Sequence, residues 1–347
     1  MYHLFPEMIA ALSACRRVPR CAHARALWNL TRCTNRLRAR SAALTPDPRA
    51  LAPHRARSFA FCAFLFVKGK VAPSSSDSGS GGSVVADFYW GLELYPRLFG
   101  GLLDVKTFTN CRCGMMGWGV LCVTWAAAQA DPRMHGSLTD SMAVCCVLML
   151  AYVAKFFVWE TGYWSSMDIM HDRAGFMICW GCLTWVPAVY TSPALYLVAH
   201  PRTLGAAHSA ALLLAGLAAV WINFDADKQR QRVRAAGGAT TVWGRPAAVI
   251  RARYVTAGGE ARSSLLLACG WWGVARHFHY VPELLAAFLW SAPAGFDHLL
   301  PYFYVLFLTP LLCDRAHRDD MRCGSKYGEA WAEYCGRVPY RMIPYVY

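Results

Sequence analysis

Carboxylates are almost missing from the first 57 residues, where Glu7 and Asp47 stand against 11 Arg, so this segment holds +9 of the chain's formal charge of +14. No apolar periodicity runs through it, which excludes a packed domain there. An Arg-rich, acid-poor tract of this kind reads as a disordered or transit-like segment, 1–57. A long hydrophobic run is also wanting at the start. Ser58–Val67 (SFAFCAFLFV) is a ten-residue apolar run, too short to cross a bilayer alone, and it reads as the tail of a span whose first half is absent. Outside the N-terminal segment there is no basic surface with base-reading elements, which excludes a nucleic-acid partner. Cys179 and Cys182 have the spacing of a zinc pair but no partner His or Cys pair, so no metal is expected. Most of the 15 Cys lie in apolar stretches, where the thiol behaves as a small hydrophobe; disulfides are not expected.

What the chain does have is apolar length. Of its 347 residues 56% are apolar and the mean hydropathy is +0.25, which points to an all-α, multi-pass transmembrane bundle. Helices are expected at Gly114–Ala130, Ser141–Trp159 and Leu204–Phe224. Phe176–Val198 should be kinked by Pro187 and Pro193, and Val281–Leu312 should form two short runs split near Pro293, Gly295 and Pro301. Leu265–Leu285 is long enough to sit in the bilayer yet carries Arg276, His277 and His279, which at membrane depth mark a functional, protein-lined cavity. Basic clusters follow Phe224 (Lys228 to Arg253) and the last apolar run (Arg315 to Lys326). The excess of Lys and Arg places both in the cytoplasm, so the chain crosses an even number of times, or dips in and returns, between them.

Three constellations can carry chemistry. Arg230 and Arg234 lie four apart just beyond a membrane helix and share a face if that helix continues. Guanidinium forks suit phosphates, although the same pair serves as an ordinary membrane anchor. Arg315, Asp319, Cys323 and Tyr327 repeat at fours beside a cationic row of Arg318, Arg322 and Lys326. That surface suits an anionic cofactor, with Asp319 on a ribose. Between two spans, Glu160, Tyr163, Asp168, His171 and Asp172 are candidate proton donors, since desolvated carboxylates can stay protonated; the alternative is a polar connecting loop.

With DFYWGLELYPR, NCRCGMMGW, ETGYW and MDIMHDRAGF, GWWGVARHFHYVPE, LLPYFYV and the DRAHRDDMRCGSKYG segment in view, the chain resembles the sterol reductases of the endoplasmic reticulum over roughly residues 60–347. Within them it is most similar to the plant Δ7 branch. The resemblance implies about ten transmembrane helices, a membrane domain at 58–347 with an NADPH-binding half at 225–347, and reduction of a sterol ring double bond by protonation followed by hydride transfer. It implies cofactor contacts at Arg230, Arg234, Leu267, Trp272, His279, Tyr280, Arg315, Asp319, Cys323, Gly324, Ser325, Lys326, Tyr327 and Tyr334. At Arg230 some relatives carry Lys, and at His279 many carry Asn. Trp164 and Tyr190 are candidates to stabilise a developing cation. The implied partners are a sterol, the bilayer and other sterol-pathway enzymes.

The family's N-terminal spans are replaced here by the Arg-rich tract, which leads one to expect a truncated chain. Four other readings stay open: a Δ14 or other double-bond reductase, a truncated sterol-binding relative without activity, a scaffold with a basic nuclear domain, and a membrane methyltransferase using S-adenosylmethionine. The last needs no phosphate-binding cations.

Overall fold

In the computed structural model the described residues are 48–74, 78–256 and 258–347. Most of the transit-like segment, 1–47, lies outside them. Every site below lies within the compact unit Ala52–Tyr347.

The apolar run Ser58–Val67 is the centre of a 24-residue helix, α1 (Pro48–Val71). Lys68 and Lys70 in its last turn pair with Glu93 (2.9 Å) and Asp87 (3.1 Å) of the DFYWGLELYPR motif. Helix α2 (Val84–Trp90) opens that motif, with Ser83 accepting from Ala86 N–H as its cap. Gly91, at φ 93°, ends it against Gly175: a Cβ on Gly175 would sit 2.2 Å from Gly91 N. Only paired glycines allow this approach, and it brings two motifs far apart in sequence into backbone contact.

The bundle proper begins with a π-helical stretch, Phe108–Met116, leading into α3 (Gly117–Ala130). Three helices are long and apolar enough to cross a membrane among the described residues: α4 (Asp140–Val158), the broken helix Phe176–Ala199, and Ala206–Ala235. The broken helix takes its shape from proline. Pro187 cannot donate to the ladder, so Gly181–Tyr190 widens into π turns, and Pro193 restarts a regular helix, α5 (Ser192–Ala199). Helix α6 (Ala206–Ala235) starts where the Asp140 carboxylate accepts from Leu204 and Gly205 N–H, an anion placed at a helix N-terminus.

Two expectations need correction. The chain is mostly helical rather than all-α: β1 (Val249–Val255) and β2 (Ala261–Leu267) form an antiparallel hairpin, Val249 opposite Leu267 and Val255 opposite Ala261. Leu265–Leu285 is not one membrane-length helix. It ends β2, turns at Gly270 (φ 62°), makes a short helix at Trp271–Val274, and enters α7 (Tyr280–Ser291) only after a turn. Gly270 is required there, since a Cβ would meet Gln229 Oε1 at 2.1 Å. Helix α7 and α8 (Phe303–Tyr327) are the helical pair expected around Pro293, Gly295 and Pro301. A short helix, α9 (Glu329–Arg337), follows.

One apolar core joins these helices through Trp118, Leu148, Met149, Leu197, Ala219, Trp290, Tyr304 and Leu312. Helices α4 and α6 approach closely because Gly216 faces Leu148; a Cβ there would lie 2.5 Å from the leucine.

Candidate functional site

Helix α8 carries apolar residues in its first half and charge in its second, so it leaves the core as a polar rod. Arg315, Arg318 and Arg322 fall at i, i+3 and i+7 and therefore share a face. That face meets the segment after α4. Arg315 Nη2 donates to Asp168 Oδ1 at 2.5 Å, Arg318 Nη1 to Asp172 Oδ1 at 3.0 Å, and Arg322 pairs with His171 Nε2. Two groups of residues that are separate constellations in the sequence thus form one ladder. Arg322 also holds Asp319 at 2.5 Å. Burial pushes the Asp319 carboxyl up, but His277, Arg322 and Arg230 outweigh it and hold the group below the usual carboxylate range. Burial, together with Arg322, lowers the His171 imidazole.

The segment 167–172 is pinned from beneath by a residue that sequence patterning does not single out. Lys106 is fully buried and donates to Ile169 O at 2.5 Å and Asp172 O at 2.9 Å, beneath the Tyr95 ring. Burial brings its ammonium down to about 8, against the pull of Asp104, Asp172 and Asp168. Tyr163 donates toward Asn110 Oδ1 (3.2 Å) and reaches Asp168 Oδ2 at 3.5 Å. Glu160 stands apart, paired with Arg112 by two contacts of 2.9 Å.

Helix α6 does continue past its apolar part. Arg230 lies 4.0 Å from the Trp272 ring centroid and 3.4 Å from Asp227; Arg234 Nε donates to Leu265 O at 3.3 Å. Trp272 is fixed by its indole N–H on Ala226 O and by the Tyr334 hydroxyl, which donates to Trp272 O. His279 packs on Trp272 and on Tyr280, with ring centroids 4.9 and 4.1 Å apart. Leu267 and Cys323 are buried nearby in the hairpin and α8, and burial pushes the Cys323 thiol up to about 12. Lys326 lies 4.0 Å from the Tyr254 ring centroid and 5.2 Å from that of Tyr327, while Gly324 and Ser325 follow Cys323 on the helix.

Arg276 and His277, 6% and 4% exposed, lie in the turn between Trp271–Val274 and α7. The C-terminal tail satisfies the Arg276 guanidinium and the backbone N–H groups of both residues. Arg276 Nη1 donates to Val338 O and Pro339 O, and the backbone N–H groups of Arg276 and His277 donate to Tyr340 O and Arg341 O. Asp320 accepts from both Arg276 and Arg341. His277 Nε2 lies 3.8 Å from Asp319 Oδ2, and burial lowers its imidazole to about 4. The result is a dense cationic surface whose carboxylates are already engaged, suited to an anionic guest.

Residues 53–347 match the sequence profile described as "Ergosterol biosynthesis ERG4/ERG24 family". The chain is 59% identical over 290 residues to a 7-dehydrocholesterol reductase from Arabidopsis thaliana, covering 84% of this chain and 66% of that one. It is 37% identical to the 7-dehydrocholesterol reductase of Xenopus laevis, covering 82% and 60%. It is 39% identical to a delta(14)-sterol reductase of Mus musculus, covering 84% and 66%. The chain therefore spans 60% to 66% of the length of these relatives.

Proposed function

This chain belongs to the ERG4/ERG24 family of sterol reductases, and on that premise we propose that it is an endoplasmic-reticulum membrane enzyme that saturates the C7–C8 double bond of Δ5,7-sterols with NADPH. The observation that carries this reading is the 59% identity to a relative named 7-dehydrocholesterol reductase. The 39% identity to a relative named for the Δ14 bond supports a second reading, in which that bond is reduced.

A ring alkene has no carbonyl to receive hydride, so a proton must add first, and the cation so formed must be kept from water. NADPH, when bound, supplies the hydride. Arg230, Arg234 and Lys326 are assigned to its phosphates and Asp319 to a ribose hydroxyl. Trp272, His279, Tyr280, Tyr327 and Tyr334 are assigned to its rings, with Leu267, Arg315, Cys323, Gly324 and Ser325 completing the wall. The fit is supported by buried nitrogens that make no hydrogen bond among the described residues: His277 Nε2, His279 Nδ1, Arg315 Nε and Arg322 Nε. S-adenosylmethionine has no phosphate to use such cations.

Four of the five donor candidates, Glu160, Asp168, His171 and Asp172, face an arginine. We assign Asp168, His171 and Asp172 to holding α8 against the 167–172 segment. The Tyr163 hydroxyl is directed at Asn110 and Asp168, and we assign it to steadying the same segment. The test is conversion of 7-dehydrocholesterol by membranes carrying the full chain, read by mass spectrometry. Loss of the Δ7 bond with NADPH, and not with S-adenosylmethionine, is expected. An unchanged Δ7 sterol beside reduction of a Δ14 sterol would move the account to the second reading.

A further inference from the structure

The acids that line the ion-paired surface share a feature that Glu283 lacks. Asp168, Asp172, Asp227, Asp319 and Asp320 each lie within 4 Å of an arginine. Glu283 lies on α7 one helical turn past Tyr280. Among the described residues it forms no ion pair, and its Oε1 accepts from the Tyr152 hydroxyl at 3.1 Å. Glu283 is half-buried, and a carboxyl at membrane depth is a candidate for function.

Lys155, Arg315, Tyr152 and Asp227 are the charged or titratable groups that act on Glu283. Both cations are occupied elsewhere. Lys155 Nζ donates to Asn223 Oδ1 at 2.5 Å, and Arg315 is taken by Asp168. Asp227 is paired with Arg230. Glu283 is left with a phenol, a partner that does not require it to be ionised.

Tyr152 looks two ways. Its hydroxyl meets Glu283, while its ring packs against Trp118 and Trp290 with centroids 5.4 Å away in each case. Those rings continue into Tyr304 and Tyr190; Trp118, Trp290 and Tyr304 are buried in the apolar core, and Tyr190 is only half-buried. In the other direction a polar column runs toward the cationic surface: Lys155 to Asn223, Asn223 Nδ2 to His279 O at 2.7 Å, then Asp227 and Arg230 on the next turns of α6.

We propose that Tyr152 and Glu283 together are the proton source for the sterol alkene. The Tyr152 hydroxyl, which donates to Glu283 at rest, turns to the substrate; its O–H bond breaks as the proton adds to one alkene carbon, and the carboxylic acid proton of a neutral Glu283 passes to the phenolic oxygen. The neighbouring carbon is left cationic, with the ring of the half-buried Tyr190 as the candidate to stabilise it. The reductant would be NADPH, which would supply the hydride for the second C–H bond, and Glu283 regains its proton from bulk water between turnovers. One π bond is exchanged for two C–H bonds, at the expense of one proton and one hydride. This rests on the reduction proposed above.

The test is infrared spectroscopy of the purified full chain, paired with turnover of 7-dehydrocholesterol. At neutral pH the wild type is expected to show the carbonyl stretch of a protonated carboxylic acid. Glu283→Gln removes that band, and Tyr152→Phe shifts it. Turnover falls about 100-fold in both, Glu283→Asp recovers part of it, and Tyr163→Phe loses far less. If Glu283→Gln does not accumulate, Tyr152→Phe decides on the same two readouts. A spectrum unaltered by the variant, or turnover at the wild-type rate, overturns the proton source while leaving the reduction standing. A wild type that shows the band but reduces neither Δ7 nor Δ14 sterol overturns the reduction, and the proton source with it.

Discussion

Arg315 and Asp168 form an ion pair of 2.5 Å across 147 positions of sequence. The pair fastens the polar half of α8 to the segment that follows α4, and Arg318–Asp172 repeats the contact one turn on. Because the two side chains are 24% and 16% exposed, part of the Coulomb gain is lost to solvent, but removing one partner strands the other charge. Asp168→Ala should cost about 2 kcal/mol of stability. In a double-mutant cycle with Arg315→Met the two losses should not add. Thermal unfolding in detergent checks both, and strict additivity would show that the two side chains act independently.

Gly91 and Gly175 are pressed backbone to backbone, so Gly175→Ala must push two chain segments apart. The overpacking should cost about 1–3 kcal/mol and loosen the 167–172 segment, because Ala174 N–H also donates to Glu93 O at 2.9 Å. Hydrogen exchange at Ile169 to Ala174 is the readout. Protection equal to that of the wild type would contradict the close approach.

Lys106→Met keeps the aliphatic stem and removes the ammonium, leaving Ile169 O and Asp172 O without their buried donor. The expected loss is about 1–3 kcal/mol. It should be accompanied by faster proteolysis near Asp168 and no change at the far end of the bundle.

Acid should destabilise the fold through His277. Its folded-state value of about 4 lies below the ordinary histidine value, so between roughly pH 6.5 and pH 4 the unfolded chain binds more protons and stability falls as pH falls. His171 is shifted in the same direction. The contribution of His277 over that window is on the order of 3 kcal/mol. His277→Gln should flatten the dependence of Tm on pH between 7 and 5. Asp319, held low, acts only below this window.

Periodicity and proline made much of the bundle readable: α4, the break at Pro187, and the repeat of Arg315, Asp319, Cys323 and Tyr327 lie where spacing puts them. Apolarity alone misled at Leu265–Leu285, because a buried turn satisfied by distant backbone carbonyls has the same composition as a membrane helix. Arg276 finds Val338 O and Pro339 O at 62 and 63 positions away, and no local pattern announces that. The hairpin Val249–Val255 and Ala261–Leu267 was hidden in what reads as a basic loop. Lys106, Tyr152, Lys155, Asn223 and Glu283 were not legible either, since each is a single polar residue whose meaning is set by its tertiary partner.

The most direct test of the central claim is the sterol profile of yeast that accumulates Δ5,7-sterols and expresses this chain alone. The account predicts that the Δ7 bond disappears, and that Asp319→Ala, present in the membrane at the same level, leaves it in place. An unchanged profile with the wild-type chain stably in the membrane would contradict it.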